Sequence, residues 1–353
     1  MNKRIEWIDM ARGIAIIMIV ITHSLSLYSR SFFSALLFAV NVPIFFILSG
    51  YLFKEKSFSQ IVRSGFRNLL LPYFSTVFLI GIIEFFGHNI FPNWIHPINF
   101  LQYIASGLYG LGTSSFIPGL KLTITAVGAI WFLPAMFLGN LLFNFVVKVS
   151  HKFSYSNYWI FLLSVVLAVC GFLLGQRIQL PWSFDAVLIS QIFYCSGYIL
   201  RAYNWVEKGN YFFDVVSLLL WLLSAKSGFF YMNISHADSP FLAVIGAFGG
   251  TYFIVRLCRW GLKAKYQWPV LQKYGKDSLV MLCFHLIDLN ALLVGSKIFG
   301  RILAMTNRVE FAVFAIIIYR LIIIWLASII VPFIPFLRSF FFPRKYPFSK
   351  PQK

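Results

Sequence analysis

Apolar stretches of about 20 residues recur from one end of this sequence to the other, and that repetition limits the fold more than any other feature. Inside a bilayer an unpaired backbone N–H or C=O finds no water, so such stretches must fold as helices that satisfy their own backbone. Ten candidates stand out, at 8–28, 34–53, 69–88, 130–149, 158–175, 185–202, 211–226, 240–258, 278–296 and 309–334. The expected fold class is therefore all-α, a polytopic transmembrane helical bundle of about ten spans. Composition agrees: the 353 residues are 59% hydrophobic and 12% charged, against roughly 25% charged in a soluble domain. The apolar segments run from end to end, so 1–336 reads as one membrane domain, followed by a basic tail at 337–353.

The first apolar run follows the basic "MNKRIEW". It is long enough to span, and no small-x-small cleavage site follows, so it is expected to be a retained helix. The stretch 90–128 is too polar and too rich in Gly and Pro for an ordinary span and is expected to hold short re-entrant or interfacial helices. The last span ends in "VPFIPF" and is expected to bend or stop at Pro332.

The formal net charge is +19. A basic chain raises the question of nucleic acid, but these cations sit in short connections between apolar segments, with no Lys/Arg-rich block. No nucleic-acid partner is expected. Counting Lys and Arg in alternate connections gives 22 on the side of both termini and 7 on the other, which places both termini in the cytoplasm. The expected location is the cell inner (cytoplasmic) membrane, as a multi-pass protein. The four cysteines, Cys170, Cys195, Cys258 and Cys283, lie in or at the end of apolar segments without a C-x-x-C. They read as small buried hydrophobes, with no metal site or disulfide framework expected. No internal repeat with matching broken helices is visible, which argues modestly against a secondary transporter.

Against this apolar background the polar residues carry the information. Arg12 and His23 are 11 residues apart. That is close to three helical turns, so they share a face about 16 Å apart along the axis. Asp9 lies three residues before Arg12 and is expected to pair with it. His23 falls beyond mid-membrane, where an ionisable group usually faces an interior or a watery cavity. A neutral histidine bonded to a neighbouring helix is the plainer alternative. In "NVPIFFILSGYLF", Pro43 is expected to kink the second span, while Ser49 and Gly50 allow close backbone approach. Arg63 and Arg67 are four apart in "RSGFRNLLLPY". Two guanidiniums on one face suit a phosphate-bearing ligand, and topological charge is the alternative. Glu84 and His88 are expected either to pair or to line an outer cavity. Trp131, in "AIWFLPAMF", suits an aromatic belt, with Pro134 in the first helical turn. His285 falls near mid-membrane with Asp288 three residues on, a second functional candidate. Together these groups suggest a polar cavity through the bundle; on their own they do not separate acyl transfer from transport.

Five of these pieces, in order, resemble the integral-membrane acyltransferase family 3, in particular its fucose 4-O-acetylase-like branch of surface-glycan O-acetyltransferases. "IDMARGIAIIMIVITHS" resembles the family's opening, an Arg and a His with ten residues between them. "VPIFFILSGYLF" resembles its second-helix signature, carried by Phe45, Phe46, Ser49 and Gly50. "RNLLLPY" resembles its third-helix entrance, "IWFLPAMF" a Trp-Phe-Leu segment, and "SLVMLCFH" a late helix with a His. A larger branch carries an acid shortly after the motif Trp. Here Phe132 to Met136 supply none, so no carboxylate is carried over. Only about twenty mainly basic and aromatic residues follow the last span, so the membrane module alone is expected, without an appended soluble domain.

The resemblance implies an acyl-CoA donor, acetyl-CoA by expectation, on the cytoplasmic side. It implies an acceptor hydroxyl on a lipid-linked or exported glycan, and no metal. On that basis His23 is the expected general base, with Arg12 and Asp9 completing the catalytic set. Arg12, Arg63, Arg67 and Ser49 are the expected acyl-CoA contacts. Trp131, His285 and Glu84 are the expected cavity and acceptor groups. The competing reading is a transporter or flippase of a lipid-linked sugar, using the same histidines without acyl transfer.

Overall fold

The computed structural model describes residues 4–97, 99–117, 121–266 and 268–348. Lys3, Lys350 and Lys353, counted above for topology, lie outside them. The structure is 77% helical and forms an all-α bundle, as the hydropathy pattern requires. Among the described residues, seven helical stretches are long and apolar enough to cross a membrane: 32–51, 58–90, 128–150, 156–175, 181–202, 240–263 and 309–333. Shorter helices overlap the other three expected stretches, at Glu6–Thr22, Tyr211–Ser227 and Ser278–Ala291, so the expected spans 8–28 and 278–296 end early, at Thr22 and Ala291.

In chain order, α1 is Glu6–Thr22, and the second span is broken into α2 (Phe32–Phe38) and α3 (Pro43–Tyr51). The break has the cause read from the sequence: Pro43 cannot continue a helix begun before it but suits the first turn of a new one. The third span is α4 (Phe58–Gly65), α5 (Leu71–Ile82) and α6 (His88–Ile90), joined by two π-helical turns at Phe66–Leu70 and Ile83–Gly87. One wide turn holds Arg67 and the other Glu84. Such turns frequently sit at functional positions because they re-aim side chains. The polar stretch that follows contains the expected short helix, α7 (Phe100–Tyr109). It also holds an unforeseen hairpin of β1 (Ser115–Ile117) with β2 (Leu122–Ile124), in antiparallel register Phe116 to Thr123.

The second half continues with α8 (Phe132–Ser150), α9 (Ser156–Gly175), α10 (Phe184–Ala202), the short α11 (Trp205–Lys208) and α12 (Tyr211–Ser227). A second small hairpin, β3 (Phe230–Tyr231) with β4 (His236–Ala237), precedes α13 (Pro240–Lys263) and α14 (Pro269–Lys276). The chain ends through α15 (Ser278–Ala291), α16 (Val294–Thr306), α17 (Val309–Ile330) and α18 (Pro335–Phe341). As expected, α17 gives way to a 3-10 turn at Pro332.

Helix α1 lies at the centre, packed against α2, α3, α13, α14, α15 and α17. Its residues Ile16, Ile19 and Val20 are no more than 1% exposed. Two crossings are close: α3 on α10, where Gly50 meets the Tyr194 backbone and Gly197 meets the Ile47 carbonyl, and α1 on α14, where Gly275 meets the Asp9 carbonyl and Gly13 the Leu271 carbonyl. Small residues of this kind drive helix association in lipid, where apolar burial alone gives no preference.

At one end the loops interlock. Asn233 donates to Thr113, Gln179 to the Ile234 carbonyl, Tyr109 to the Gln179 carbonyl and Trp182 to the Leu108 carbonyl. At the other end α18 folds back on the bundle, with Phe341 1% exposed against Phe284.

Candidate functional site

The structure brings His23 and His285 together. Their ring centroids are 5.4 Å apart at an interplanar angle of 54°. His23 closes the C-terminal end of α1, and its Nδ1 lies 2.8 Å from the Ile19 carbonyl oxygen. A carbonyl only accepts, so Nδ1 carries the hydrogen and Nε2 keeps its lone pair. His285 is 0% exposed, and neither of its ring nitrogens has a protein partner among the described residues. An unsatisfied buried polar group costs roughly 1–3 kcal/mol. Arg12 and His23, both half-buried, share one side of α1 with Ile16 and Ile19, which are each 1% exposed, and the His23 ring turns toward the buried His285.

A residue passed over in the sequence holds this end of α1. Arg320, from α17, donates through Nη1 to the His23 carbonyl at 2.7 Å and to Ser24 Oγ at 3.0 Å. Its Nε lies 3.4 Å from Asp288 Oδ2, and Tyr319 donates to Asp288 Oδ1 at 2.6 Å. Asp288 therefore serves Arg320 and Tyr319, not His285. The only sequence clue to Arg320 was a cation in the middle of an apolar span, which by itself is a pointer to an interior partner.

The other end of the same face is an arginine cluster. Asp9 is 2% exposed and takes both of its contacts from Arg4, Nε to Oδ2 at 2.6 Å and Nη2 to Oδ1 at 3.0 Å. The expected Asp9–Arg12 ion pair is thus corrected. Residue 4 precedes the helix, so its side chain is free of helical spacing and reaches Asp9 first. Arg12, half-buried, remains within Coulombic reach of Asp9, Arg4 and Arg344. Arg67 donates through Nε and Nη2 to the Pro343 carbonyl, at 3.1 and 2.5 Å. Arg63 is exposed, one turn before Arg67. Between the two ends, Ile16 and Ile19 on the shared face are each 1% exposed, so an apolar seal separates the imidazoles from the guanidiniums.

Among the described residues, no hydrogen bond or ring contact joins the remaining expected residues to either cluster. Ser49 is half-buried, with its hydroxyl 3.9 Å from Met136 Sδ. Trp131 is 4% exposed and packs on Gly112, which Asn233 also approaches. Glu84 is 7% exposed and does not pair with His88, whose Nδ1 donates instead to the Ile95 carbonyl at 2.8 Å. The π turn explains this: i,i+4 spacing assumes 3.6 residues per turn, and Glu84 sits where the helix widens. In the loop layer an open cleft of ≈ 360 Å³ is lined by Ser114, Gln176, Gln179, Ser235 and His236.

Comparison with known proteins decides the family. The family model of an acyltransferase domain, Acyl_transf_3, matches residues 5–343. The chain belongs to acyltransferase family 3. No curated protein and no solved structure gives a significant match. As a membrane acyltransferase the protein needs a group that takes a proton from the acceptor and groups that hold the donor. Among the described residues, the imidazole pair and the arginine cluster are arrangements with those chemistries.

Proposed function

We propose that this acyltransferase moves an acetyl group from acetyl-CoA to a sugar hydroxyl of a lipid-linked or exported surface glycan, in the cytoplasmic membrane. The observation that carries the reading is the tautomer of His23. With Nδ1–H engaged by Ile19, Nε2 is an acceptor beside the interior imidazole of His285.

In the proposed reaction the acceptor oxygen attacks the thioester carbonyl carbon while His23 Nε2 takes the hydroxyl proton. The C–O bond forms, a tetrahedral oxyanion appears, and the C–S bond breaks. The thiolate leaves with the proton that the His23 imidazolium returns. His285 has a ring N–H without a protein acceptor, and we assign it to the developing oxyanion, where a buried donor is worth most. Arg12, Arg63 and Arg67 would receive donor phosphates, since guanidinium binds phosphate in two-point geometry. Ser49, Trp131 and Glu84, which share no hydrogen bond with the imidazoles, would shape the approach to them. The acyl group must pass the Ile16–Ile19 seal, so a local opening of α1 against its neighbours belongs to the cycle.

The test uses the purified full chain in detergent, with acetyl-labelled acetyl-CoA and an envelope glycan extract. Label on the glycan, with a mass increase of one acetyl group, supports the reading. Glycan without label, together with translocation of the lipid-linked sugar by the same protein in sealed proteoliposomes, would support the transporter instead.

A further inference from the structure

The arginine cluster includes a residue that the proposed donor site did not anticipate. Arg344 follows α18 on the returning C-terminal segment. It is docked specifically: Arg67 grips the carbonyl of the preceding Pro343, and Arg344 Nε donates to Asn68 Oδ1 at 3.0 Å. Neighbouring residues of one π turn, Arg67 and Asn68, thus hold neighbouring residues of the tail. Pro343 itself is buried, and Phe341 anchors the segment in the core.

This docking concentrates like charge. Arg4 and Arg67 act on Arg344, and Arg4 and Arg344 act on Arg12. The carboxylate acting on Arg12 is Asp9, whose oxygens are already taken by Arg4. The Arg344 side chain is open to solvent, yet protein surrounds its guanidinium closely enough that desolvation, then repulsion from Arg4 and Arg67, lowers its pKa. Topological charge explains why the tail is basic. It does not explain why specific bonds draw guanidiniums together, since positive-inside residues are free to spread. Convergent guanidiniums are the usual form of a site for phosphate oxygens.

We propose that the C-terminal segment is part of the substrate site, and that Arg344 joins Arg12 and Arg67 in binding the phosphates of a nucleotide-bearing donor. The identity of that ligand rests on the acyl-CoA reading above; the existence of a polyphosphate site does not. Anionic lipid headgroups offer the same phosphate chemistry from another source, and the experiment separates them.

Binding of CoA and of inorganic pyrophosphate is measured by calorimetry on the full chain in neutral detergent. Wild type is compared with Arg344→Gln, Arg344→Lys and Lys345→Gln. A charge-assisted hydrogen bond contributes roughly 1.5–3 kcal/mol, so Arg344→Gln is expected to weaken CoA binding by about ten- to a hundredfold. Arg344→Lys should recover part of the loss. Lys345→Gln should bind as wild type, because its ammonium sits over the Tyr346 ring instead. Equal losses in Arg344→Gln and Lys345→Gln, or wild-type affinity in Arg344→Gln, would overturn the proposal while leaving the acyl-CoA reading intact. Pyrophosphate binding that needs Arg344, in a protein that ignores CoA, would uphold the site and sink the acyl-CoA reading. A third arm places the protein in nanodiscs with and without phosphatidylglycerol. If that lipid binds through Arg344 and CoA does not displace it, the ligand is a headgroup and the nucleotide assignment falls.

Discussion

Arg320 donates to the carbonyl oxygen of His23 across 2.7 Å, so a cation on α17 closes the end of the helix that presents the imidazole. The bond has two effects. It places positive charge at the C-terminus of α1, where the helix dipole favours it. It also fixes the backbone from which the His23 ring projects. Asp288, itself held by the Tyr319 hydroxyl, faces the guanidinium in turn. Arg320→Ala would strand the buried Asp288 and should lower stability by roughly 3–5 kcal/mol. Arg320→Lys keeps the charge but loses the planar fork. It should fold, with kcat reduced about 100-fold and KM little changed, as expected when a reacting group is misplaced by about 1 Å. Steady-state kinetics of Arg320→Lys at wild-type kcat would show that the contact is structural only.

His23→Ala should lower transfer by about 10²–10⁴, the usual contribution of a positioned base. The ring's recorded bond is local, to Ile19, so thermal unfolding in detergent should change little. Wild-type turnover in His23→Ala would remove the base assignment and with it the chemical role of the imidazole pair.

His285 offers a test of opposite sign. Its ring is buried with both nitrogens unpartnered, so an apolar ring of similar size removes an unsatisfied group without opening a cavity. His285→Phe should leave stability unchanged or raise it by about 1 kcal/mol, while transfer falls at least tenfold. Loss of stability together with activity would mean that His285 is a packing residue.

What the sequence made legible follows the reach of local geometry. Arg12 and His23 were readable as one face because α1 is a regular helix throughout that interval. The Pro43 break was readable because proline acts on its own neighbours. Asp9 was given the wrong partner because Arg4 lies before the helix, where i,i+3 spacing does not apply. Of the two readings for Glu84 and His88, the pairing fails because a π turn intervenes, and nothing in "IEFFGH" announces one. The Asp288–Arg320 contact and the Arg67–Pro343 grip join separate elements, so no spacing rule reaches them. The β1–β2 hairpin lies in the stretch 90–128, whose polarity is visible in the sequence but does not announce strand pairing, and the β3–β4 hairpin lies between two expected spans, where no hairpin was expected.

The buried pair of Asp214 with Arg256 separates fold from function. Arg256 meets Asp214 Oδ1 at 2.8 Å and Oδ2 at 3.2 Å, and donates to the Val206 and Gly209 carbonyls. It ties α12 and α11 to α13, away from both clusters. Asp214→Ala should cost roughly 3–5 kcal/mol by leaving a buried cation unpaired. Transfer by the folded fraction should be unaffected. A drop in kcat at temperatures where the variant remains folded would tie this pair to the site.

The α3–α10 crossing sets a stricter limit. A Cβ added to Gly50 would lie 2.7 Å from the Tyr194 carbonyl carbon and 2.8 Å from its Cα. One added to Gly197 would lie 2.7 Å from the Tyr51 amide nitrogen. Both obstacles are backbone, so no side-chain rotation relieves them and the helices must separate. Gly50→Ala and Gly197→Ala should each lose about 3 kcal/mol, at the upper end for overpacking. Combining them should lose less than the sum, because one separation relieves both. Gly300→Ala supplies the comparison: it is helical, with nothing within 4 Å of the added carbon. There alanine should stabilise by up to about 1 kcal/mol through helix propensity alone. Unfolding measurements in one detergent would rank the three. If Gly50→Ala matched Gly300→Ala, the close contact of α3 with α10 would be wrong.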